Sequence, residues 1–173
     1  MLEEKTKEIR KFCIKNSKQS NIDKYSRYFK EGFDGYGIDR EVFETQRDFW
    51  IEAWKNEMTI DSYLDLGDKL VEIGKYEEIS FAIHFIDSQR KNYTKTTFDR
   101  IGNWFDLGIS NWANTDVLCG LVISSFFVDG VVELDSLKQW TSSQSEWKRR
   151  AVPVSLNELI KRDLKPKDAF SLI

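Results

Sequence analysis

The stretch NWANTDVLCG, residues 111 to 120, places Trp112 four residues before Asp116. Four residues make about one helical turn, so the indole and the carboxylate should project from the same face of a helix. Asn111 can cap the start of that helix, and Gly120 leaves room for a ligand one turn after Asp116. Two interpretations remain open: a capped surface helix with a packed indole, or a site with an aromatic wall beside a negative charge.

A second group of candidate residues lies in SEWKRRAVPVSL, residues 145 to 156. Trp147 is followed by three basic residues: Lys148, Arg149 and Arg150. From residue 147 to residue 167 seven basic residues face two acidic ones, a balance compatible with a surface that binds a polyanion. The alternative is a solvated basic helix. Pro153 predicts a kink or a restart in this helix.

A third group lies in KYSRYFKEGFDGYGIDREVF, residues 24 to 43. Tyr28 stands between Arg27 and Lys30, just ahead of a turn that contains Gly35 and Gly37. The turn opens the next helix, so these side chains should lie at a helix junction.

The elements that must position these residues are helices. Two prolines and nine glycines are too few turn formers for a sandwich or a barrel. Apolar residues recur at three- and four-residue spacing, for example from Val42 to Trp54. Ser20 or Asn21 and Thr94 are candidate helix caps. Helices are predicted over residues 2–18, 22–31, 39–57, 60–74, 76–91, 95–108, 112–127, 133–142 and 146–162.

Successive helix pairs repeat about every 40 residues, as HEAT-like repeats do. We therefore predict an all-α fold, an α-α superhelix of antiparallel helix pairs that forms a HEAT-like repeat solenoid. A compact helical bundle is the alternative. A length of 173 residues predicts a single domain over residues 1–173.

The composition and the distribution of apolar residues indicate where the protein acts and what it binds. The N-terminus has no apolar signal region, and no apolar run is long enough to span a membrane. Cys13 and Cys119 belong to no paired motif and His84 stands alone, so we expect a cytoplasmic protein without a metal or another cofactor. The net charge of −3 does not by itself indicate a nucleic-acid partner.

The three motifs together resemble the AlkD-like family of DNA alkylation repair glycosylases. The resemblance rests on RYFK ahead of GYGI, on the Trp-x-x-x-Asp of WANTD and on the Trp-x-x-Arg of WKRR, in that order. It extends from about Tyr25 to Leu156. It implies a fold of HEAT-like repeats and an enzyme that removes cationic N3- or N7-alkylated purines from double-stranded DNA.

The resemblance also implies roles for individual residues. Asp116 matches the catalytic carboxylate, Trp112 the tryptophan beside the lesion-bearing nucleotide, and Arg150 the arginine that holds a nearby phosphate. Tyr28 matches a tyrosine that faces DNA, and these four residues should converge on one concave surface. The neighbours of Arg150 in its motif are further candidates for DNA binding: Trp147, Lys148 and Arg149.

Two other functions remain possible at this point. One is a DNA-binding relative with weak or no catalysis, and the other is a HEAT-type scaffold for protein interactions. A scaffold should bury Trp112 and Trp147, whereas either DNA-binding function leaves Trp112 and Asp116 exposed.

The last ten residues, LKPKDAFSLI, predict a new helix after Pro166 that stops within about two turns. Its apolar residues lack the polar cap typical of a terminal repeat, so the sequence resembles a repeat array cut short. On this basis we expect weak DNA binding, low or no glycosylase activity, and self-association through the apolar end.

Overall fold

The computed structural model describes residues 2–30, 32–163, 165 and 167, and this part of the chain is helical and contains no β-strand. The prediction of an all-α fold built from packed helices is therefore confirmed. None of the described helices is long and apolar enough to cross a membrane. The chain divides into two compact units, Met1–Ser88 and Gln89–Ile173. The single domain over residues 1–173 stays a prediction.

The first unit contains α1 (Leu2–Lys15), α2 (Gln19–Ser26), α3 (Arg40–Trp54), α4 (Ile60–Ile73) and α5 (Tyr76–Asp87). Helices α4 and α5 form an antiparallel hairpin around Gly74, which ends α4 in the left-handed conformation with φ of 76°. Helix α1 packs against both of them, and α3 packs against α5. Large aromatic side chains fill the core: Trp50, Tyr63, Phe81 and Phe85.

The GYGI turn, residues 35–38, is fastened to the start of α5 by the buried carboxylate of Glu77. Glu77 accepts the backbone N–H groups of Tyr36 at 2.7 Å, Gly37 at 2.7 Å and Ile38 at 3.1 Å. Gly37 has φ of 68°, and a Cβ atom there would lie 2.6 Å from the carbonyl oxygen of Lys18. The turn therefore requires glycine at this position and an anion behind it.

The second unit contains a 3₁₀ turn (Arg90–Asn92), α6 (Lys95–Gly102), α7 (Trp104–Leu107), α8 (Trp112–Leu118), a π-helical turn (Cys119–Ile123), α9 (Ser124–Val128), a 3₁₀ helix (Leu134–Trp140) and α10 (Glu146–Ile160). Helix α8, the π-helical turn and α9 form one continuous helix, and α10 packs along all three parts. Phe98 stacks on Trp140 in the core, with ring centroids 5.1 Å apart.

The predicted helix boundaries are partly right. Asn111 and Thr94 cap α8 and α6 as predicted. Ser20 and Asn21 do not cap α2, which begins at Gln19, and the side chain of Asn21 donates instead to Gly37 O and Asp39.

Helix α10 continues through Pro153, so of the predicted kink or restart the restart is wrong, and the kink stays a prediction. Proline removes only one backbone hydrogen bond, and buried side chains hold the helix on both sides of it, Val152 before and Leu156 after. The helix predicted after Pro166 lies outside the described residues.

Candidate functional site

A buried cluster of polar side chains sets the start of α8. Asn111 Oδ1 accepts the backbone N–H of Asn114 at 2.8 Å, and Asn111 Nδ2 donates to Asn114 Oδ1 at 2.6 Å. Thr115 Oγ1 donates to the carbonyl oxygen of Asn111 at 2.9 Å. These bonds satisfy backbone groups of the first turn and fix its orientation. Asn111 was predicted from the sequence but Asn114 and Thr115 were not, although the three-residue spacing of the asparagines is typical of reciprocal capping.

Trp112 and Asp116 project outward from this fixed turn. Trp112 is 38% exposed, and the side chain of Asp116 is 35% exposed. Their four-residue spacing lies within α8, so both leave the same face of the helix. The helix therefore presents an indole beside a carboxylate, and neither side chain is part of the core.

The π-helical turn directly after α8 changes the register of the helix. It spans Cys119–Ile123, and the carbonyl oxygen of Gly120 accepts hydrogen bonds from Ser124 Oγ at 2.9 Å and Arg162 Nη2 at 2.8 Å. A Cβ atom on Gly120 would meet no atom closer than 4.0 Å, so the backbone is open on that side. The π-helical turn was not predicted from the sequence, where a glycine within a helix is its only local signal.

Arg150 of α10 forms a two-pronged ion pair with Asp116. Its Nε donates to Oδ1 and its Nη2 donates to Oδ2, each at 2.9 Å. The pKa of Arg150 is raised above its ordinary value because Asp116 accepts these hydrogen bonds. The ion pair places these two residues side by side. Their membership of one concave DNA-binding surface stays a prediction. Because the pair is partly exposed, an anionic ligand can compete with Asp116 for the guanidinium.

A groove of about 500 Å³ begins at this ion pair and follows the outer face of α10. Pro153, Asn157 and Lys161 line it after Arg150. The charges in the groove balance, since Lys161 pairs with Glu158 at 2.6 Å and Arg150 pairs with Asp116.

The other two cations of the WKRR motif have partners inside the second unit. Lys148 Nζ lies 2.7 Å from Asp106 Oδ2, and the Lys148 side chain is only 14% exposed. Arg149 Nη1 donates to the carbonyl oxygens of Ser143 at 2.6 Å and Gln144 at 2.9 Å. Both side chains therefore stabilise the start of α10, and their contact with DNA stays a prediction.

Trp147 and Tyr28 complete the predicted set. Trp147 is half-buried and lines a second cavity of about 610 Å³ beside residues 105–110. Tyr28 lies in the first unit, after α2, and is 65% exposed. The convergence of Tyr28 with the residues of the second unit stays a prediction.

Comparison with known protein families identifies the class of protein. The family model described as DNA alkylation repair enzyme matches residues 9–173. Because the match covers nearly the whole chain, the protein belongs to this family, and its role is in DNA repair. The resemblance found in the sequence is thereby confirmed. Searches of curated proteins and of solved structures found no match.

Proposed function

We propose that the protein is a DNA glycosylase that hydrolyses the N-glycosidic bond of cationic N3- or N7-alkylated purines in double-stranded DNA. The observation that carries this proposal is the position of Asp116 and Trp112. Both side chains are partly exposed on one turn of α8, and the buried Asn111–Asn114 cluster holds that turn in place.

One carboxylate suffices for this reaction because the alkylated ring already carries the positive charge. When the bond between C1′ and the base nitrogen breaks, its electron pair neutralises the ring, so no general acid is required. Positive charge then develops at C1′, where the Asp116 carboxylate stabilises it. Asp116 also orients the attacking water, whose oxygen bonds to C1′ and whose proton passes to the carboxylate. Ordinary glycoside hydrolysis, in contrast, requires two carboxyl groups.

Trp112 supplies the surface against which the cationic nucleotide packs. The face of an indole attracts a cation with about 0.5 to 2 kcal/mol, so it favours a charged purine over a neutral one. Its exposure supports this function over the scaffold alternative, which expects both Trp112 and Trp147 to be buried.

Arg150 links DNA binding to the state of Asp116. In the free protein its guanidinium occupies both oxygens of the carboxylate. A DNA phosphate also offers two anionic oxygens to the two N–H groups of the guanidinium, so bound DNA can take over the guanidinium and release the carboxylate toward C1′.

A second candidate function is a DNA-binding relative with weak catalysis. This second function is favoured if Arg150 stays paired with Asp116 in the DNA complex. A carboxylate whose charge is balanced by an arginine stabilises a sugar cation poorly.

The test is release of 7-methylguanine from methylated duplex DNA by the purified protein. We expect slow but measurable release by the native chain, in line with the low activity expected from the sequence, and a loss of about 100- to 1000-fold in Asp116→Asn. Asp129→Asn is the matched control, because Asp129 also forms a two-pronged pair with an arginine, Arg90, but does not line the groove. Equal rates in the native chain and Asp116→Asn would exclude the proposed role of Asp116. Binding without release by the native chain would support the second candidate.

A further inference from the structure

The basic residues of the first unit fall into two groups. Residues 1–88 contain 14 basic and 19 acidic residues, so this unit as a whole is acidic. Eight of the basic side chains form salt bridges with described carboxylates. The remaining six form none with described residues and are all exposed: Lys7, Lys11, Lys15, Lys24, Arg27 and Lys30.

These six residues, which we call the α1–α2 basic surface, lie on α1, on α2 and on the segment that follows α2. Every basic residue of the unit outside residues 7–30 is paired. The unpaired positive charge of an acidic unit is thus confined to one stretch of chain.

Helix α1 contributes a regular row of three lysines. Lys7, Lys11 and Lys15 are four residues apart, so they lie on one face with steps of about 6 Å along the axis. Like charges at this spacing destabilise a helix. Two nearby carboxylates have other partners, since Glu3 forms a salt bridge with Lys69 and Glu8 accepts a hydrogen bond from Trp50 Nε1.

The other three cations surround an exposed aromatic residue. Lys24, Arg27 and Lys30 follow one another at a spacing of three residues, with Tyr28 among them. The three cations are exposed, and none of them forms a salt bridge in the described part of the chain. Exposed cations interleaved with an aromatic ring are typical of surfaces that contact nucleic acids.

We propose that the α1–α2 basic surface binds the sugar-phosphate backbone of DNA. The inference deepens the proposed function, on which it rests for the identity of the polyanion. A row of unpaired lysines matches an evenly charged phosphate chain, and no base is read there. The surface holds the duplex without regard to its sequence or its damage.

An anionic membrane would require a different helix. Membrane-surface helices bury an apolar face in the lipid. The apolar face of α1 is occupied, because Ile9 and Cys13 are fully buried against the rest of the unit. The exposed face of α1 carries the three lysines and one strongly exposed apolar side chain, Ile14. A single isoleucine is too small an apolar surface to hold a helix in lipid, and this favours a phosphate backbone in water.

The test measures binding of a short unmethylated duplex by the full chain as salt is raised from about 50 to 200 mM. The first variant combines Lys7→Gln, Lys11→Gln and Lys15→Gln. The second combines Lys24→Gln, Arg27→Gln and Lys30→Gln. The control combines Arg40→Gln, Lys55→Gln and Lys69→Gln, which change the net charge equally but remove cations that are already paired.

Each of the first two variants should lower the slope of log affinity against log salt by about 2 to 3, since each removes three phosphate contacts. The control should lower it by less than about 1. Unfolding by urea verifies that each variant is folded. Equal slopes for the two test variants and the control would overturn the inference, as would loss of binding to anionic vesicles with unchanged binding to DNA.

The same proteins in the 7-methylguanine assay separate this inference from the proposed function. Release by the native chain with unchanged salt slopes in both test variants would refute the inference alone. If the salt slope falls in both test variants but the native chain releases no 7-methylguanine, the proposed function alone would be refuted.

Discussion

Arg150 holds both carboxylate oxygens of Asp116 at 2.9 Å, although 34 residues separate the two in the chain. The second unit contains another pair of the same geometry, in which Arg90 holds both oxygens of Asp129 at 2.7 Å. Only the first pair lines the groove along α10. The second pair therefore serves as an internal reference for what such a pair contributes to folding alone.

Arg150→Ala should weaken DNA binding and lower the slope of log affinity against log salt by about 0.9, because one phosphate contact is lost. Arg90→Ala should leave both quantities unchanged. Fluorescence anisotropy with a methylated duplex measures them. Arg150→Lys keeps the charge but not the two-pronged geometry, so it should retain the slope and lose part of the affinity. An unchanged slope in Arg150→Ala would show that Arg150 stays on Asp116 in the complex.

Trp112→Ala should lower kcat/KM for a cationic lesion by about 2- to 30-fold, as expected for loss of a cation–π contact. Its free energy of unfolding should fall by about 1 to 2 kcal/mol, less than the roughly 3 to 5 kcal/mol of a fully buried tryptophan, because the indole is partly exposed. Single-turnover release of 7-methylguanine and urea unfolding provide the two measurements. A large loss of stability with unchanged release would identify Trp112 as a packing residue, and Trp112→Phe should recover part of the activity.

Glu77→Gln should destabilise the first unit by about 1 to 3 kcal/mol. The amide nitrogen of glutamine cannot accept the backbone N–H groups that both carboxylate oxygens of Glu77 accept, so at least one buried donor loses its partner. Urea unfolding measures the change. The control is Glu52→Gln, an exposed residue paired with Lys55, which should cost little. If both variants were equally stable, the carboxylate would not anchor the GYGI turn.

His84 should make the stability of the protein depend on pH. Burial, with a smaller contribution from the charge of Arg47, lowers the pKa of His84 from 6.5 to about 4. The unfolded chain takes up a proton near pH 6.5 and the folded chain only near pH 4. The neutral, buried imidazole of His84 therefore costs no stability above pH 6.5. The free energy of unfolding decreases as the pH falls from 6.5 toward 4.

Between about pH 7.5 and pH 5.5 this linkage should reduce the free energy of unfolding by about 1 kcal/mol. Urea unfolding at the two pH values measures the difference. His84→Gln should remove most of it, and an equal pH dependence in that variant would assign the effect to other groups.

The sequence by itself determined the local features of this protein. The scarcity of proline and glycine and the helical apolar spacing predicted the all-α fold. The four-residue spacing of Trp112 and Asp116 placed them on one face, and Asn111 and Thr94 were recognisable as caps. Each of these features depends on residues within about one or two turns of each other, where helix geometry fixes which side chains meet.

Only the tertiary structure decided which partner each charged side chain meets. Arg150 meets Asp116 because α10 packs along α8, whereas its neighbours Lys148 and Arg149 turn to Asp106 and to backbone carbonyls. Glu77 meets the GYGI turn 40 residues away from it. No local pattern distinguishes these charged residues from one another, because their pairing depends on where packing brings the helices together and on which charges it removes from water.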